Sequence, residues 1–600
     1  MGDNRKSEID ESSGKPESVG RPEERLDSWK DIAAYLKRDV TTVQRWEKRE
    51  GMPVHRHLHD RLGSVYAFSS ELDAWQQSRK LQLEEEERER TTQAPVEKAH
   101  EDTKWASGAR RRFALGGVVV LGLVALTYFF ALTRARDASR PKIKSLAVLP
   151  LKNLSGDPSQ EYLADGMTEA LIGRLSGIHD LRVTSRTSVM RFKDTQLLAP
   201  EIAKTLGVDA LVEGSVMREG NRIRVHAQLI RAASDEHFWS ESYDRELRDA
   251  LALESDVSQA IARKVEVTIT GEEHSRLTAA RAVSPEVYEN YLKGRFALGQ
   301  SNNQADIEES IGYFQEAINR DTKFAPAYVG LANAHYHLAT VFVGAPPETE
   351  RARVVSAAQK ALELDPGLAE AHTLLAGIHQ EQWRWTEAET EYKRALKLNP
   401  NDATAHDGLA RWFLCQGRPD EALAWVRRGR DLDPVAVSGT HVAWVLFLAR
   451  RYDEATRELR SVLAVQPDDA MALWYDGFVL TADDQSKEAI PVLEKAYSIS
   501  GNSSAVMGVL ARAYAHSGRR ADALRLIAEL KKRKQAGYVP AAAFLNAYLG
   551  LDDHEQAFVW FEEAYKEHSN ILQWIKVHPY FDPIRDDPRF KDLMHRVGLD

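Results

Sequence analysis

Apolar positions recur along this chain with three distinct patterns, and each hands over to the next at a definable place. In the first, residues 26–79, SWKDIAAYL puts Trp29, Ile32 and Leu36 on one helical face, with the small Ala33 and Ala34 at a close-packing position. A short turn follows, and Asp39 has the side chain of a helix N-cap. In VTTVQRWEKRE the spacing buries Val43 and Trp46 and leaves Thr42, Gln44, Arg45, Lys48 and Arg49 outward. MPVHRH and GSVYAF read as two strands joined around Arg61-Leu62-Gly63-Ser64, and a further helix begins at Ser69 or Ser70.

Residues 113–133, FALGGVVVLGLVALTYFFALT, carry no charge and have arginines on both flanks. As a helix rising 1.5 Å per residue this segment spans about 30 Å, so it predicts one transmembrane helix. Residues 1–25 are polar and aperiodic and read as disordered, and 80–109 read as a charged helical linker.

From 143 to 270 strands and helices alternate, which predicts a small α/β domain. IKSLAVLPL, LRVTSRTSV, the pair flanking Glu219-Gly220-Asn221 and HFWSESY read as strands. EYLADGMTEALIGRLSGI and PEIAKTLGV read as helices, followed by a longer one over 250–268. Asp157, Glu161, Asp165 and Glu169 read as the polar face of a helix start, where acids suit the dipole.

Beyond 285 the pattern repeats. Alanine returns at 388, 422, 455, 489, 523 and 557, at steps of 33 or 34 residues, and proline ends a turn at 366, 400, 434 and 467. Small residues where helices touch, with proline after the second helix, at a period of 34, are the tetratricopeptide signature. The pattern predicts an all-α solenoid of seven to eight units over 285–578, with 579–600 as a C-terminal cap. An insertion around TVFVGAPPE interrupts the early period. Of the tryptophans at 383, 385, 412, 425, 444, 474, 560 and 574, most read as packing between helices. A minority would line the concave groove and grip a protein or peptide.

Composition narrows the chemistry. A net charge of −10 excludes a globally basic nucleic-acid coat, but residues 37–61 hold seven Lys/Arg against four Asp/Glu. Lys37, Arg38, Thr42, Gln44, Arg45, Lys48, Arg49, Arg56 and Arg61 are therefore the candidate DNA-contacting residues. Arg and Gln suit base edges, while Lys and Thr suit phosphates. The single cysteine, Cys415, excludes an intrachain disulfide and a cysteine-rich zinc site. His55, His57 and His59 share one strand face, but phosphate contacts suit them better than a metal. With no nucleophile–base pair, phosphate-binding loop or nucleophile elbow, the chain reads as no enzyme, with no cofactor and no metal.

WKDIAAYL, TTVQRWEKREG, MPVHRH and GSVYAFSSELDAW together resemble the MerR/excisionase-type winged helix-turn-helix family. The resemblance implies that the second helix enters the major groove and the hairpin contacts the backbone. Lys37-Arg38 departs from it, standing where relatives carry Gly and an apolar residue. The SGDP, ADGMTE and EGSV stretches resemble the TolB amino-terminal-domain/FlgO-like family, which implies a binding or assembly module. The whole arrangement resembles the ToxR/CadC class of membrane-anchored regulators. The expectation is a multidomain transcriptional regulator: a winged helix-turn-helix reading double-stranded DNA, one transmembrane helix, a small α/β domain and a tetratricopeptide solenoid. It would cross the bacterial inner membrane once, with a cytoplasmic N-terminus, a periplasmic C-terminal region and homodimerisation as a switch. The alternative is an envelope assembly scaffold whose N-terminal module binds protein rather than DNA.

Overall fold

The computed structural model describes residues 25–50, 52–56, 65–76, 142–279, 281–300, 304–339, 347–434 and 437–600. They fall in two compact units, 1–133 and 134–600, each considered by itself.

In the first unit a seven-residue helix, Trp29–Tyr35, is capped by Ser28, whose side chain accepts from the Asp31 amide. A second helix, Val40–Glu50, follows after a four-residue turn. Ile32 and Val43 are fully buried and pack with Leu36, Trp46, Val65 and Leu72 into one core. Ala33 joins that core, whereas Ala34, expected beside it, is exposed. The strand Val65–Phe68 pairs antiparallel with His55–Arg56 on one side. On the other it pairs with Arg25–Leu26, a strand the sequence pattern gave no sign of.

The second unit begins with a mixed sheet. Ser145–Val148 lies between Arg182–Val183 and Ala210–Glu219, parallel to both. Two antiparallel hairpins then carry the sheet through Arg222–Arg231 to Glu236–Glu246. Gly220 makes the tight turn between the first two of these with φ +59°, a value that favours glycine. The helices Glu161–Ser176 and Ala250–Lys264 supply apolar side chains to the core they share with the sheet. The strand expected over LRVTSRTSV is cut short at Val183. Ser185 turns its side chain to the Ser188 amide and starts a helix, Arg186–Met190, because a hydroxyl cap competes locally with strand pairing.

Eight helix pairs follow among the described residues, from Pro285–Gln300 with Gln304–Arg320 to Ala541–Gly550 with His554–Lys566. All six periodic alanines are 0% exposed, so a side chain larger than a methyl has no space at these crossings. Crossings between successive pairs are equally tight: a Cβ on Gly408 would lie 2.3 Å from the ring of Tyr392 in the preceding pair.

The α/β layer and the first repeats form one body. Val287, Tyr288, Leu292 and Phe324 belong to the same core as Leu171 and Val216. The acidic row corrects the expectation of a plain helix start. Asp157 does cap a turn, accepting from the Ser159 amide at 2.9 Å, but the other three acids are bound in ion pairs. Lys193 Nζ bridges Glu161 and Asp165 at 2.8 and 2.7 Å. Glu169 pairs with Arg186 at 3.4 Å and with Arg295 of the first repeat helix. Further along, Asn401 Nδ2 donates to the carbonyls of Ser176 and Leu181 at 3.0 and 2.9 Å, and Ser188 Oγ donates to Asp433 at 2.9 Å.

The C-terminal segment does more than cover the last repeat. Residues 570–584, two 3-10 turns, run back along the concave side of the array. Tyr580 Oη donates to the Phe478 carbonyl at 3.1 Å, and Gln380 Nε2 donates to Gln573 Oε1 at 3.1 Å. The final helix, Pro588–Val597, caps the last pair through Phe590 on Phe561, and its Val597 carbonyl accepts from Trp385 Nε1 at 2.9 Å.

One part of the expected fold class is corrected. Among the described residues no helix is long and apolar enough to cross a membrane. The long described helices are amphipathic: Pro347–Leu364 carries Glu348, Glu350, Arg351, Arg353, Lys360 and Glu363. Residues 113–133, on which the transmembrane expectation rested, lie outside the described residues, as do 1–24 and the linker 80–109.

Two expected outcomes follow from this packing. Ala422→Arg must bury an unpaired guanidinium or separate two helices, so thermal and denaturant unfolding of the full chain should show a loss on the order of 3 kcal/mol. A wild-type melt would mean that the repeat register is wrong. The second concerns His578, which is fully buried; burial first, then Arg512, Arg585 and Arg450, push its pKa well below the usual 6.5. Its folded pKa is depressed, so the unfolded chain takes up the proton first and stability falls as pH drops below about 6.5. The slope for this one group is about 1.4 kcal/mol per pH unit. The stability difference between wild type and His578→Phe, measured by denaturation from pH 7.5 to 5.5, should narrow at that rate below pH 6.5. A constant difference would refute it.

Candidate functional sites: a basic helix surface and a closed repeat groove

Two places in the structure gather chemistry-bearing side chains. The first is the free face of Val40–Glu50 and the turn before it. Asp39 fixes that helix start: its Oδ1 accepts from the Thr41 hydroxyl and from the Thr42 amide at 2.8 Å, and its Oδ2 accepts from Thr42 Oγ1 at 2.7 Å. The Thr41 and Thr42 hydrogen bonds hold the Asp39 carboxyl far below the usual carboxylate range. Thr42, expected as an outward contact, thus has its hydroxyl proton committed to the cap, a local bond that the helical period does not reveal.

With the helix anchored, Lys37, Arg38 and Arg45 are exposed and Gln44 is half-buried. Val43 and Trp46, between them on the opposite face, are buried at 0% and 8% exposure. Lys37 takes φ +50°, the left-handed conformation that glycine adopts without strain. Lys48 and Arg49 continue the helix and Arg56 lies on the short strand, but their side chains, like all of Arg61, fall outside the described residues. Of the histidine run, His55 is placed: its Nε2 meets Glu71 at 2.8 Å and its ring stacks on Tyr66. His57 and His59 lie outside the described residues.

The second place is the concave side of the repeats. The tryptophans expected to grip a partner there meet this chain's own residues. Trp383 stacks on Tyr565 and His568, and Trp444 lies edge-on to Trp574. Trp560 stacks on Phe544 at 3.7 Å, and Trp412 donates to the Trp385 carbonyl. The returning segment does not fill the groove completely. A cavity of about 470 Å³ remains, with Trp444, Trp474, Tyr475, Phe478 and Trp574 on its walls. Charged side chains reach the same space already paired: Arg351 Nε with Glu381 at 2.7 Å, and Arg411 Nε facing Asp407 at 3.3 Å.

Sequence reasoning had no hold on two residues of this cavity, Asn546 and His578, 2% and 0% exposed. One signal was available. AAAFLNAYLG, residues 541–550, is a helix whose only strongly polar side chain is Asn546, and a lone amide among apolar neighbours needs a partner.

Comparison with known proteins was informative for the second unit. A family model described as a HilA/YgeH-like transcriptional regulator, second domain, matches residues 142–263. This sets the 143–270 segment, whose motifs resemble the TolB amino-terminal-domain/FlgO-like family, beside regulator domains. Tetratricopeptide-repeat models match residues 367–434, 443–505 and 480–547. A Rhizobium meliloti (strain 1021) protein named "Putative adenylate cyclase 3" is 34% identical over 257 residues, 42% of this chain and 42% of that protein. The cellulose synthase 1 operon protein C of Komagataeibacter xylinus is 29% identical over 179 residues, 28% of this chain and 13% of that one. The chain therefore spans less than half the length of these relatives. Among solved structures, a tetratricopeptide repeat protein from Parabacteroides merdae is 12% identical with a TM-score of 0.34, covering 45% of this chain and 100% of that one. The second unit thus carries a HilA-like transcriptional regulator domain followed by an array of tetratricopeptide repeats.

Proposed function

We propose that this chain is a transcriptional regulator that reads double-stranded DNA with the helix Val40–Glu50, while its second unit binds the signal. The observation that carries the reading is the division of that helix: Val43 and Trp46 buried, Arg45 exposed beside Gln44, and Lys37 and Arg38 exposed at the turn before it. Two helices joined by a tight turn, the second presenting Arg and Gln, suit major-groove recognition with flanking phosphate contacts. The match of residues 142–263 to a regulator domain supports the same reading. Pairing of two copies would place two such helices on a palindromic site.

Tetratricopeptide repeats suggest protein or peptide binding. Here the concave groove is occupied by residues 570–584, so a peptide would have to displace them or use another face of the array.

Selection of genomic fragments by the full-length chain should enrich a common site. Arg45→Ala should then weaken binding to that site about ten- to a hundredfold, as loss of one base contact worth roughly 1–3 kcal/mol requires, with helicity unchanged. No enrichment, or an unaltered affinity in the folded variant, would overturn the assignment. Lys37→Gly separates strain from contact. It relieves left-handed strain of roughly 1–2 kcal/mol, partly offset by the greater freedom of glycine when unfolded. The first unit should therefore melt slightly higher while DNA affinity at low salt falls and its salt dependence flattens. A drop in melting temperature would contradict the turn geometry.

A further inference from the structure

We infer that the cavity inside the repeats is a binding site for a small neutral nitrogen heteroaromatic of one or two fused rings. This goes beyond the DNA-reading proposal and does not rest on it. The size comes first: about 470 Å³ is in the range of pockets that enclose drug-sized molecules. The walls come second. Trp444 and Tyr475 stack on each other at 4.7 Å, Trp474 tilts against Tyr475 at 5.7 Å, and Trp574 closes the space edge-on to Trp444 at 6.0 Å. Such rings offer faces and edges to a flat guest, whose own ring gains from offset or edge contacts.

The charge pattern then selects against an anion. Each charged side chain at the cavity has its own partner. Arg351 holds Glu381, and Arg411 faces Asp407. Glu567 accepts from the Ala541 amide at 2.9 Å. An anionic guest would be desolvated with no opposite charge left to receive it.

What the cavity does leave open is a mixed set of buried polar atoms. Among the described residues Asn546 Oδ1 has no hydrogen-bond partner, and neither do His578 Nε2, His441 Nδ1 and His568 Nδ1. Their roles can be assigned in part. His578 Nδ1 accepts from the Tyr580 amide at 3.2 Å, so in the neutral ring Nε2 carries the proton and is a donor. Burial keeps that ring neutral. Asn546 Oδ1 is an acceptor. Unsatisfied buried donors and acceptors each cost stability, and a guest presenting both kinds of atom on one planar frame would satisfy them together. A purely hydrocarbon ring would leave all of them unpaired.

The test uses the full-length chain with adenine and nicotinamide as probes and benzoate as the charged aromatic control. At least one of the two neutral heteroaromatics should quench tryptophan fluorescence saturably and raise the melting temperature, whereas benzoate should do neither. Asn546→Leu should weaken that binding about tenfold or more. Because a buried substitution can disturb folding, His441→Leu, at a half-buried wall position, provides a second variant and should weaken it several-fold with helicity intact. Absence of saturable binding by both heteroaromatics overturns the inference. So does equal binding of benzoate, or binding unchanged in both folded variants. Stabilisation by added peptides alone would also overturn it, and would mark the cavity as part of a peptide groove.

Discussion

The second unit depends on the return of its own C-terminus into the array. A repeat solenoid is held by neighbour contacts alone and is free to open or tighten. Here Tyr580 Oη reaches the Phe478 carbonyl and Gln380 reaches Gln573, tying residues 102 and 193 positions apart. His578, with no exposed surface, packs between Phe447, Phe478 and Phe581. The curvature is therefore braced by contacts across the hollow, and the hollow is narrowed to a cavity of about 470 Å³. The same bonds place Trp574 opposite Trp444 and set the cavity walls.

At the other end the α/β layer acts as the first cap of the array. Tyr288 Oη donates to Glu254, itself held by Arg174 at 3.2 Å, so the first repeat helix is hydrogen-bonded into the sheet-covering helices. Burial raises the Glu254 carboxyl pKa, and the arginine beside it opposes that shift. Removing either partner would strand a buried charge, which costs far more than the intact pair contributes. Asn401 extends this seam to a later repeat turn by satisfying two carbonyls of the α/β layer. The regulator-like domain and the repeats thus form one continuous body, joined by hydrogen bonds at residues 176–188.

In the first unit the same economy holds on a smaller scale. Ten buried apolar side chains hold three helical segments and a three-stranded sheet among the described residues, and Asp39 concentrates several short bonds at the start of the helix proposed to read DNA. The strained Lys37 sits at that joint, with φ +50°, a conformation that glycine would adopt without strain.

Local periodicity alone determined a good deal. The 34-residue alanine step located six positions that prove fully buried, because a helix crossing tolerates only a small side chain whatever lies beyond it. The three-to-four-residue spacing of Ile32, Leu36, Val43 and Trp46 likewise identified the inward faces of the first two helices, since a short helix has only one face to bury. Tertiary structure decided everything that joins residues far apart in the chain. The pairing of Glu169 with Arg295 depends on how the first pair docks on the α/β layer, and the seat of Asn401 and the return of Tyr580 to Phe478 on how much each helix pair rotates relative to the next. That rotation accumulates over eight pairs, and no single repeat encodes its sum. For the same reason the sequence does not show that Asn546 and His578 are brought to one cavity, each buried with one polar atom left unpartnered among the described residues.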